Sequence, residues 1–151
     1  MNAEQYKREL VYRRGNGKSI LNRYKEKIFS LCNIDIDNIK FLSLKETDEI
    51  IKFQRENRKE HSKERFLSND STLILNSIRV YRGGYYVFID DDWKYCGCFL
   101  IESLSLLNTS FVFGTKIING VFFISADLKN TIDLDYFEED NAFYIDKRIL
   151  K

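Results

Sequence analysis

The sequence predicts an α+β fold, in which N-terminal helices pack on a mainly antiparallel sheet formed by the second half of the chain. Two apolar runs, at residues 85–89 and 96–101, flank a short polar segment, which is typical of neighbouring buried strands. Helical periodicity is clearest in the first half, whereas short aromatic and β-branched runs recur in the second. Because a buried hairpin needs cover on both faces, we expect helices and further strands around it.

Length and composition fit a single domain over residues 1–151. The chain has 151 residues, of which 44% are hydrophobic and 31% are charged, as in an ordinary soluble globular protein. No apolar run approaches the roughly 18 residues that a membrane helix needs, and the charged first ten residues do not resemble a signal peptide. The cysteines are odd in number, which favours a reduced chain and a cytoplasmic location.

Three helical segments are predicted in the first third of the chain. Residues 4–14 begin a helix that the glycines of residues 15–17 are expected to break. From residue 18 to residue 32 the apolar side chains recur at helical spacing, which predicts an amphipathic helix. A short strand is expected at residues 38–42. Ser43 and Glu46 then match a capping box, which predicts the start of the third helix.

The remaining chain alternates between short apolar runs and polar turns. The charged tract at residues 55–65 predicts a solvated helix end or a mobile loop. Residues 73–81 fit a helix and a strand equally well, and residues 101–108 resemble one or two helical turns. Turns are expected at residues 127–130 and 138–141, and strands at residues 111–113, 121–125, 131–137 and 143–149.

The residue types used for catalysis and metal binding do not form a competent set. The stretch GNGKS at residues 15–19 ends like a phosphate-binding loop, but Tyr12 stands where that motif needs its first glycine. The single histidine, His61, lies in the charged tract. The cysteines lack the paired spacing of zinc ligands, so Cys96 and Cys98 are expected in the core. We therefore expect no catalytic residues, no metal and no cofactor.

One enzymatic alternative remains. Asp92-Trp93-Lys94 follows a predicted strand and matches the second half of the metal site of restriction-type nucleases. With Asp70 as a further carboxylate, the two acids would hold Mg²⁺ while Lys94 orients the attacking water. The competing interpretation is a polar hairpin turn.

The basic first third of the chain suggests nucleic-acid binding as a related alternative. Cations there would contact phosphates, and the interleaved Tyr6, Tyr12 and Tyr24 would stack on bases. The competing interpretation is a solvated basic helix, since the helix from residue 18 needs Tyr24 on its core face. The cations are Lys7, Arg8, Arg13, Arg14, Lys18, Arg23, Lys25 and Lys27.

The acidic residues of the second half gather in two predicted turns. Residues 1–83 hold 18 Lys/Arg and 12 Asp/Glu, whereas residues 84–151 hold 6 and 11. If both turns lie at one edge of the sheet, they form a negative, aromatic surface suited to a basic partner. The competing interpretation is that the turn acids serve solubility alone. The candidate partner-binding residues are Asp90, Asp91, Asp92, Trp93, Asp133, Asp135, Tyr136, Glu138, Glu139 and Asp140.

Three stretches of the chain resemble small bacterial immunity proteins that accompany polymorphic toxins, including those of contact-dependent growth inhibition. The stretches are RRGNGKSILNRYKEKI, FIDDDWKYCGCFLIES and VFFISADLKNTIDLDYFEED. The motifs are an acidic turn before Cys-Gly and a run through Asp127, Ile132, Asp135 and Tyr136. The resemblance implies a non-catalytic protein that binds a toxin domain, commonly a nuclease, in the cytoplasm and blocks its active site.

Overall fold

The computed structural model describes residues 1–151 and confirms the α+β fold, with N-terminal helices and a six-stranded antiparallel sheet. No helix combines the length and the apolar character that crossing a bilayer requires. The helices are α1 (Ala3–Leu31), α2 (Leu44–Asn57), α3 (Ser71–Ile78) and α4 (Trp93–Cys96). The strands are β1 (Glu60–Leu67), β2 (Tyr85–Ile89), β3 (Phe99–Ile101), β4 (Gly120–Ser125), β5 (Thr131–Glu139) and β6 (Ala142–Leu150).

The strands are ordered β1-β6-β5-β4-β2-β3 across the sheet, and every neighbouring pair is antiparallel. The longest pairing joins β5 to β6, from Thr131 opposite Leu150 to Glu139 opposite Ala142. Asp140 and Asn141 close this hairpin with positive φ angles of 52° and 65°. Two left-handed residues form the tight turn whose twist matches paired strands, and Asp and Asn tolerate that conformation well.

Helix α1 is continuous, so the predicted break at residues 15–17 is wrong. Asn2 and Gln5 form a capping box at its start. Gly17 is buried, and a Cβ atom there would collide with the backbone carbonyl of Tyr95 in α4. The glycine therefore permits close contact between two backbones, and the packing outweighs its low helix propensity.

The sheet is covered on both faces, but unequally. The larger core contains residues of the five strands β2 to β6 on one face, together with Tyr24, Ile28 and Leu31 of α1 and Ile74 of α3. The smaller core lies on the other face, where Ile50 and Ile51 of α2 and Trp93 of α4 are its helical members. The second face is therefore left partly open over β5 and β6, where polar residues replace apolar ones. The smaller core consists of Ile50, Ile51, Phe88, Trp93, Cys98 and Ile124.

The charged tract at residues 55–65 is neither a loop nor only a helix end, since β1 occupies most of it. β1 pairs with β6 alone and lies at the edge of the sheet, which is compatible with a strand whose side chains are nearly all exposed. The ambiguous residues 73–81 are largely helical in α3.

Three smaller predictions are corrected by the packing. The strand expected at residues 96–101 is shorter. Helix α4 ends at Cys96, and Gly97, with a φ angle of 88°, then turns the chain close to the backbone carbonyl of Leu42. No strand forms at residues 111–113, although Phe111 and Phe113 are buried. The strand expected at residues 38–42 reduces to one bridge between Phe41 and Phe99. A turn of 3₁₀ helix at Leu104–Leu106 agrees with the helical turns predicted there.

Candidate functional site

Trp93 belongs to the smaller core, so the prediction that it stands on an exposed turn is wrong. Only 6% of its surface is accessible. Residues 93–96 form the short helix α4 instead of a hairpin turn, and this helix turns the indole inward. The ring packs edge-on against Phe88 at 5.5 Å and against Phe122 at 5.9 Å between ring centroids. Trp93 therefore anchors α4 to the sheet.

Asp90 and Asp92 are also buried, and both bind Lys27 of α1. The Lys27 Nζ lies 2.6 Å from an Asp90 oxygen and 3.2 Å from an Asp92 oxygen, and its side chain is 8% exposed. Asp90 also accepts backbone N–H donors from Ile118, Asn119 and Gly120. These bonds join α1, the end of β2 and the start of β4, which makes the cluster structural. Of the three aspartates, Asp91 alone extends into solvent, with its side chain 67% exposed.

The two acidic turns do lie at the same end of the sheet. The backbone N–H of Asp90 donates to the carbonyl of Gly120, and Gly120 pairs with Asp135 of β5. From Asp135, β5 continues past the end of β4 to Glu139. The predicted surface requires both acidic turns at one end of the sheet, and they do lie there. Most of the negative charge that reaches solvent there comes from the β5–β6 hairpin, because Asp90 and Asp92 are enclosed.

Aromatic side chains stiffen both faces of the β5–β6 hairpin. On one face, Tyr136 stacks between Phe113 at 5.7 Å and Phe143 at 5.4 Å, with the rings nearly parallel. On the other, Phe137 and Tyr144 are 5.9 Å apart, and the Arg65 guanidinium lies 4.9 Å from the Phe137 ring centre. These contacts hold the end of the hairpin in one conformation. We define the hairpin tip as Phe137, Glu138, Glu139, Asp140, Phe143 and Tyr144.

The acids of the hairpin tip are exposed. Glu138 and Asp140 make no ion pair, whereas Glu139 lies 2.9 Å from Arg65. Phe143 is 44% exposed beside them, so carboxylates and an aromatic ring share one accessible surface. Charge of this kind next to a rigid aromatic anchor is typical of protein interfaces.

Behind the tip, carboxylates lie in a row on the open face of the sheet. Asp133 and Asp135 share that face, as their alternation along the strand predicts. Burial raises the pKa of Asp133 even though Arg148 donates hydrogen bonds to it. Partial burial and the neighbouring Asp133 raise the pKa of Asp135, which has no ion-pair partner within 4.0 Å. Hydrogen bonds from Arg65, by contrast, lower the pKa of Asp146.

The residues proposed for a nuclease site do not form one. The Asp92 carboxylate forms an ion pair with Lys27. The Lys94 amine lies 3.1 Å from Asp91 and does not pair with Asp92. Asp70 follows β1, and three strands separate β1 from the β2 end that carries Asp92. No group of three His, Cys, Asp or Glu side chains is arranged to hold a metal ion.

Several of the basic and aromatic residues of the first third are engaged within the fold. Arg13 forms two hydrogen bonds to Asp48, at 2.7 and 2.8 Å, and the Tyr6 hydroxyl donates to the same carboxylate at 2.6 Å. Tyr24 is fully buried and donates to the Gly97 carbonyl. Tyr6 and Tyr24 are therefore not free to stack on bases, whereas Tyr12 is 69% exposed.

Four cations remain on the outer surface of α1. Lys7, Arg14, Lys18 and Lys25 are spaced by seven, four and seven residues, so they project from one face of the helix. The first three are exposed and Lys25 is half-buried. This basic stripe was hidden in the sequence because it spans the glycines at which the helix was expected to end.

Two grooves flank α2. The larger, about 740 Å³, lies between α1, α2 and α4, and its polar floor is the Arg13–Asp48 pair. The smaller, about 520 Å³, lies between the C-terminal half of α2 and the open face of β5 and β6. We call the smaller groove the α2 pocket. It combines arginines, carboxylates and apolar side chains, and it was not evident in the sequence.

The three cysteine thiols have low reactivity in the folded protein. All three cysteines are free; Cys32 and Cys98 are buried, and Cys96 is partly buried. Burial raises the pKa of Cys32 to about 12 and those of Cys96 and Cys98 to about 11. Thiolates, the reactive form, are therefore scarce at neutral pH. His61 lies on the exposed β1 edge, away from these thiols in the sheet order.

Comparisons with protein-family models, with curated proteins and with solved structures found no significant match to this chain.

Proposed function

We propose that this protein is a cytoplasmic immunity protein that binds a cognate toxin domain, a nuclease, and covers its active site without catalysis of its own. The observation that carries the proposal is the hairpin tip, where exposed carboxylates and an exposed aromatic ring are held on a rigid turn. A nuclease must attract a polyanion, so its cleft is basic. An acidic projection with aromatic anchors is the complementary surface.

The hairpin tip is built to bind without rearrangement. Its turn residues adopt the left-handed conformation, and its rings are stacked on both faces. A surface that is already ordered loses little conformational entropy on binding, so more of the contact energy appears as affinity. The projection of β5 beyond β4 also suits insertion into a concave cleft.

The proposed docking surface differs from the sequence-based one. It keeps Asp91, Asp135, Tyr136, Glu138, Glu139 and Asp140, which reach the surface at one end of the sheet. It omits Trp93, Asp90 and Asp92, which serve the core and the Lys27 cluster, and Asp133, which is paired with Arg148. It adds Phe137, Phe143 and Tyr144, which the sequence analysis assigned only to strands.

The proposal predicts that a toxin is encoded beside the gene of this protein, and the toxin domain encoded there is the partner for the test. Co-expression of the chain should restore growth of cells that express the toxin. In stopped-flow binding at low salt, Glu138→Lys combined with Asp140→Lys should slow association by about tenfold, because steering is lost.

Glu102→Lys is the matched control, since Glu102 is an exposed acid just after β3 at the far edge of the sheet. It should leave the association rate nearly unchanged. Equal rates for all variants would remove the hairpin tip from the interface, and failure of the wild-type chain to protect cells would overturn the immunity function.

The basic stripe favours a second candidate, nucleic-acid binding by α1. Lys7 to Lys25 spans about 27 Å along the helix at 1.5 Å per residue, enough to follow several phosphates. Fluorescence anisotropy with labelled RNA at low salt should then show binding that is lost in a Lys7→Gln, Arg14→Gln, Lys18→Gln variant. Arg8→Gln, which lies off the stripe and beside Glu4, is the control. Absence of binding at low salt would exclude this candidate.

A further inference from the structure

Two residues that line the α2 pocket each carry a buried polar atom with no hydrogen-bond partner within the protein. One is the hydroxyl oxygen of Thr131, a residue with only 2% of its surface accessible. The other is Nε of Arg58, whose Nη1 donates to the Lys129 carbonyl. Both residues line the same pocket. A buried donor without an acceptor costs about 1–3 kcal/mol, so this pair of atoms indicates a site for a hydrogen-bond acceptor.

The formal charges make this end of the pocket basic. Arg55 also lines it and forms no ion pair, and Arg58 has no carboxylate partner. Arg148, in contrast, is held by Asp133 and lies near Glu60, so its charge is compensated. Two guanidinium groups without a carboxylate partner, together with the unpartnered Thr131 hydroxyl, favour an oxyanion, since arginine presents several donors to a carboxylate or a phosphate.

The opposite end of the pocket is acidic. Asp135 lines it without a cation partner, and it is four residues from Thr131 on the same face of β5. At about 3.3 Å per residue, the two backbone positions are about 13 Å apart. Partial burial and the neighbouring Asp133 raise the pKa of Asp135, although Arg148 and Lys63 act in the opposite direction.

Apolar side chains line the pocket between these ends. Ile51 of α2 and Phe122 of β4 form this wall, whereas Leu150 of β6 lies opposite Thr131 at the basic end. A volume of about 520 Å³ exceeds the need of one oxyanion and falls within the range of small-molecule sites. An apolar wall therefore joins the basic end to the acidic end, and the Asp133–Arg148 ion pair lines the pocket beside it.

We infer that the α2 pocket binds an elongated zwitterion, with its oxyanion at Arg55, Arg58 and Thr131, an aliphatic spacer along Ile51 and Phe122, and its amine at Asp135. The basic end of the pocket is separate from the proposed toxin-binding surface, because Arg58 and Thr131 lie outside that surface, whereas Asp135 belongs to both.

Three probe molecules of similar length distinguish binding at the basic end of the pocket from binding at the acidic end. Calorimetric titration with 6-aminohexanoate, hexanoate and hexylamine should give saturable binding in which the zwitterion binds at least about tenfold more tightly than either single-ended probe. Equal affinities for the three probes, or no saturable binding of 6-aminohexanoate, would overturn the inference. Inorganic phosphate as a competitor tests whether the basic end accepts phosphate as well as carboxylate; displacement of hexanoate supports the oxyanion assignment and its absence restricts the class to carboxylates.

Variants at each end of the pocket then test which end binds the carboxylate and which binds the amine. Thr131→Val, which keeps the shape of the side chain, should weaken 6-aminohexanoate about fivefold, and Arg58→Gln should weaken it more. Asp135→Asn should make 6-aminohexanoate and hexanoate equivalent. Arg79→Gln is the matched control, because Arg79 also has a buried, unpartnered Nε but bonds to Ser105 outside the pocket. An equal loss with Arg79→Gln would show a general charge effect and contradict the site.

Discussion

Gly17 of α1 and the carbonyl of Tyr95 in α4 meet so closely that no side chain fits between them. Within the same contact, the Cys96 thiol lies 3.5 Å from the Gly17 carbonyl oxygen. This approach joins the long N-terminal helix to the short helix that carries Trp93. It links the larger core, which α1 covers, to the smaller core on the other face of the sheet.

We expect Gly17→Ala to destabilise the protein by about 1–3 kcal/mol, because the added methyl group forces two backbones apart. Gly15→Ala is the matched control, since nothing lies within 4 Å of a Cβ at that position. There alanine should raise the free energy of unfolding by about 0.5–1 kcal/mol through its higher helix propensity. Urea unfolding of both variants measures the difference. Stabilisation in both would contradict the backbone contact.

Removing the amine of Lys27 should be far more costly than removing a surface charge. Lys27→Met leaves Asp90 and Asp92 buried without their cation, and we expect a loss of about 3–5 kcal/mol in the free energy of unfolding. The exposed Lys18→Met should change it by less than about 0.5 kcal/mol. Asp92→Asn added to Lys27→Met should recover part of the loss. A Lys27→Met variant as stable as the control would show that the cluster is not structural.

The Arg13–Asp48 pair should make stability depend on acid pH. Burial by itself would raise the pKa of Asp48, but hydrogen bonds from Arg13 and Tyr6 outweigh it and lower that pKa. A lowered folded-state pKa gives stability that is present above the unfolded pKa, about 3.9, and is lost as the pH falls through the folded value.

The matching variant is Asp48→Asn. It should be less stable than the wild type by about 1 kcal/mol at pH 7, allowing for solvent screening of a partly exposed pair. Denaturant unfolding at a series of pH values should show a constant gap down to about pH 5 that narrows below pH 4. A gap that persists unchanged at pH 2 would rule out the carboxylate as its source.

The three thiols should react only when the protein unfolds. Because burial raises the pKa of Cys32 to about 12 and those of Cys96 and Cys98 to about 11, the thiolate fraction at pH 8 is minute. Ellman's reagent should label none of them rapidly in the native protein and all three in urea. Fast labelling of one native thiol, identified by mass spectrometry, would contradict this packing; Cys96 is the most accessible of the three.

The elements that were predictable are those whose own side chains specify them. Alternation along β5 and β6 places Ile132 and Leu134 on the core face and Asp133 on the open face, so both strands were found within two residues of their ends. The capping box at Ser43 and Glu46 fixed the start of α2 within one residue for the same reason.

The elements that were missed depend on contacts that a local pattern does not contain. The helix continues through Gly17 because α4 packs there, and β1 forms because β6 supplies its hydrogen bonds. The three aspartates that precede Trp93 in the sequence favour a solvent-exposed position for its side chain, and that prediction is wrong. A lysine at position 27, within the buried stripe of Tyr24, Ile28 and Leu31, was the one available signal that carboxylates are enclosed nearby.

The charged strand β1 disfavours pairing between the sheets of two copies of this protein. An edge strand offers unpaired backbone groups to any other strand, but lysine, arginine and glutamate side chains along β1 discourage such pairing, and at the opposite edge β3 is only three residues long. The sheet is thus protected against growth from either side. The tract that looks least folded in the sequence thus disfavours strand pairing between copies of the molecule.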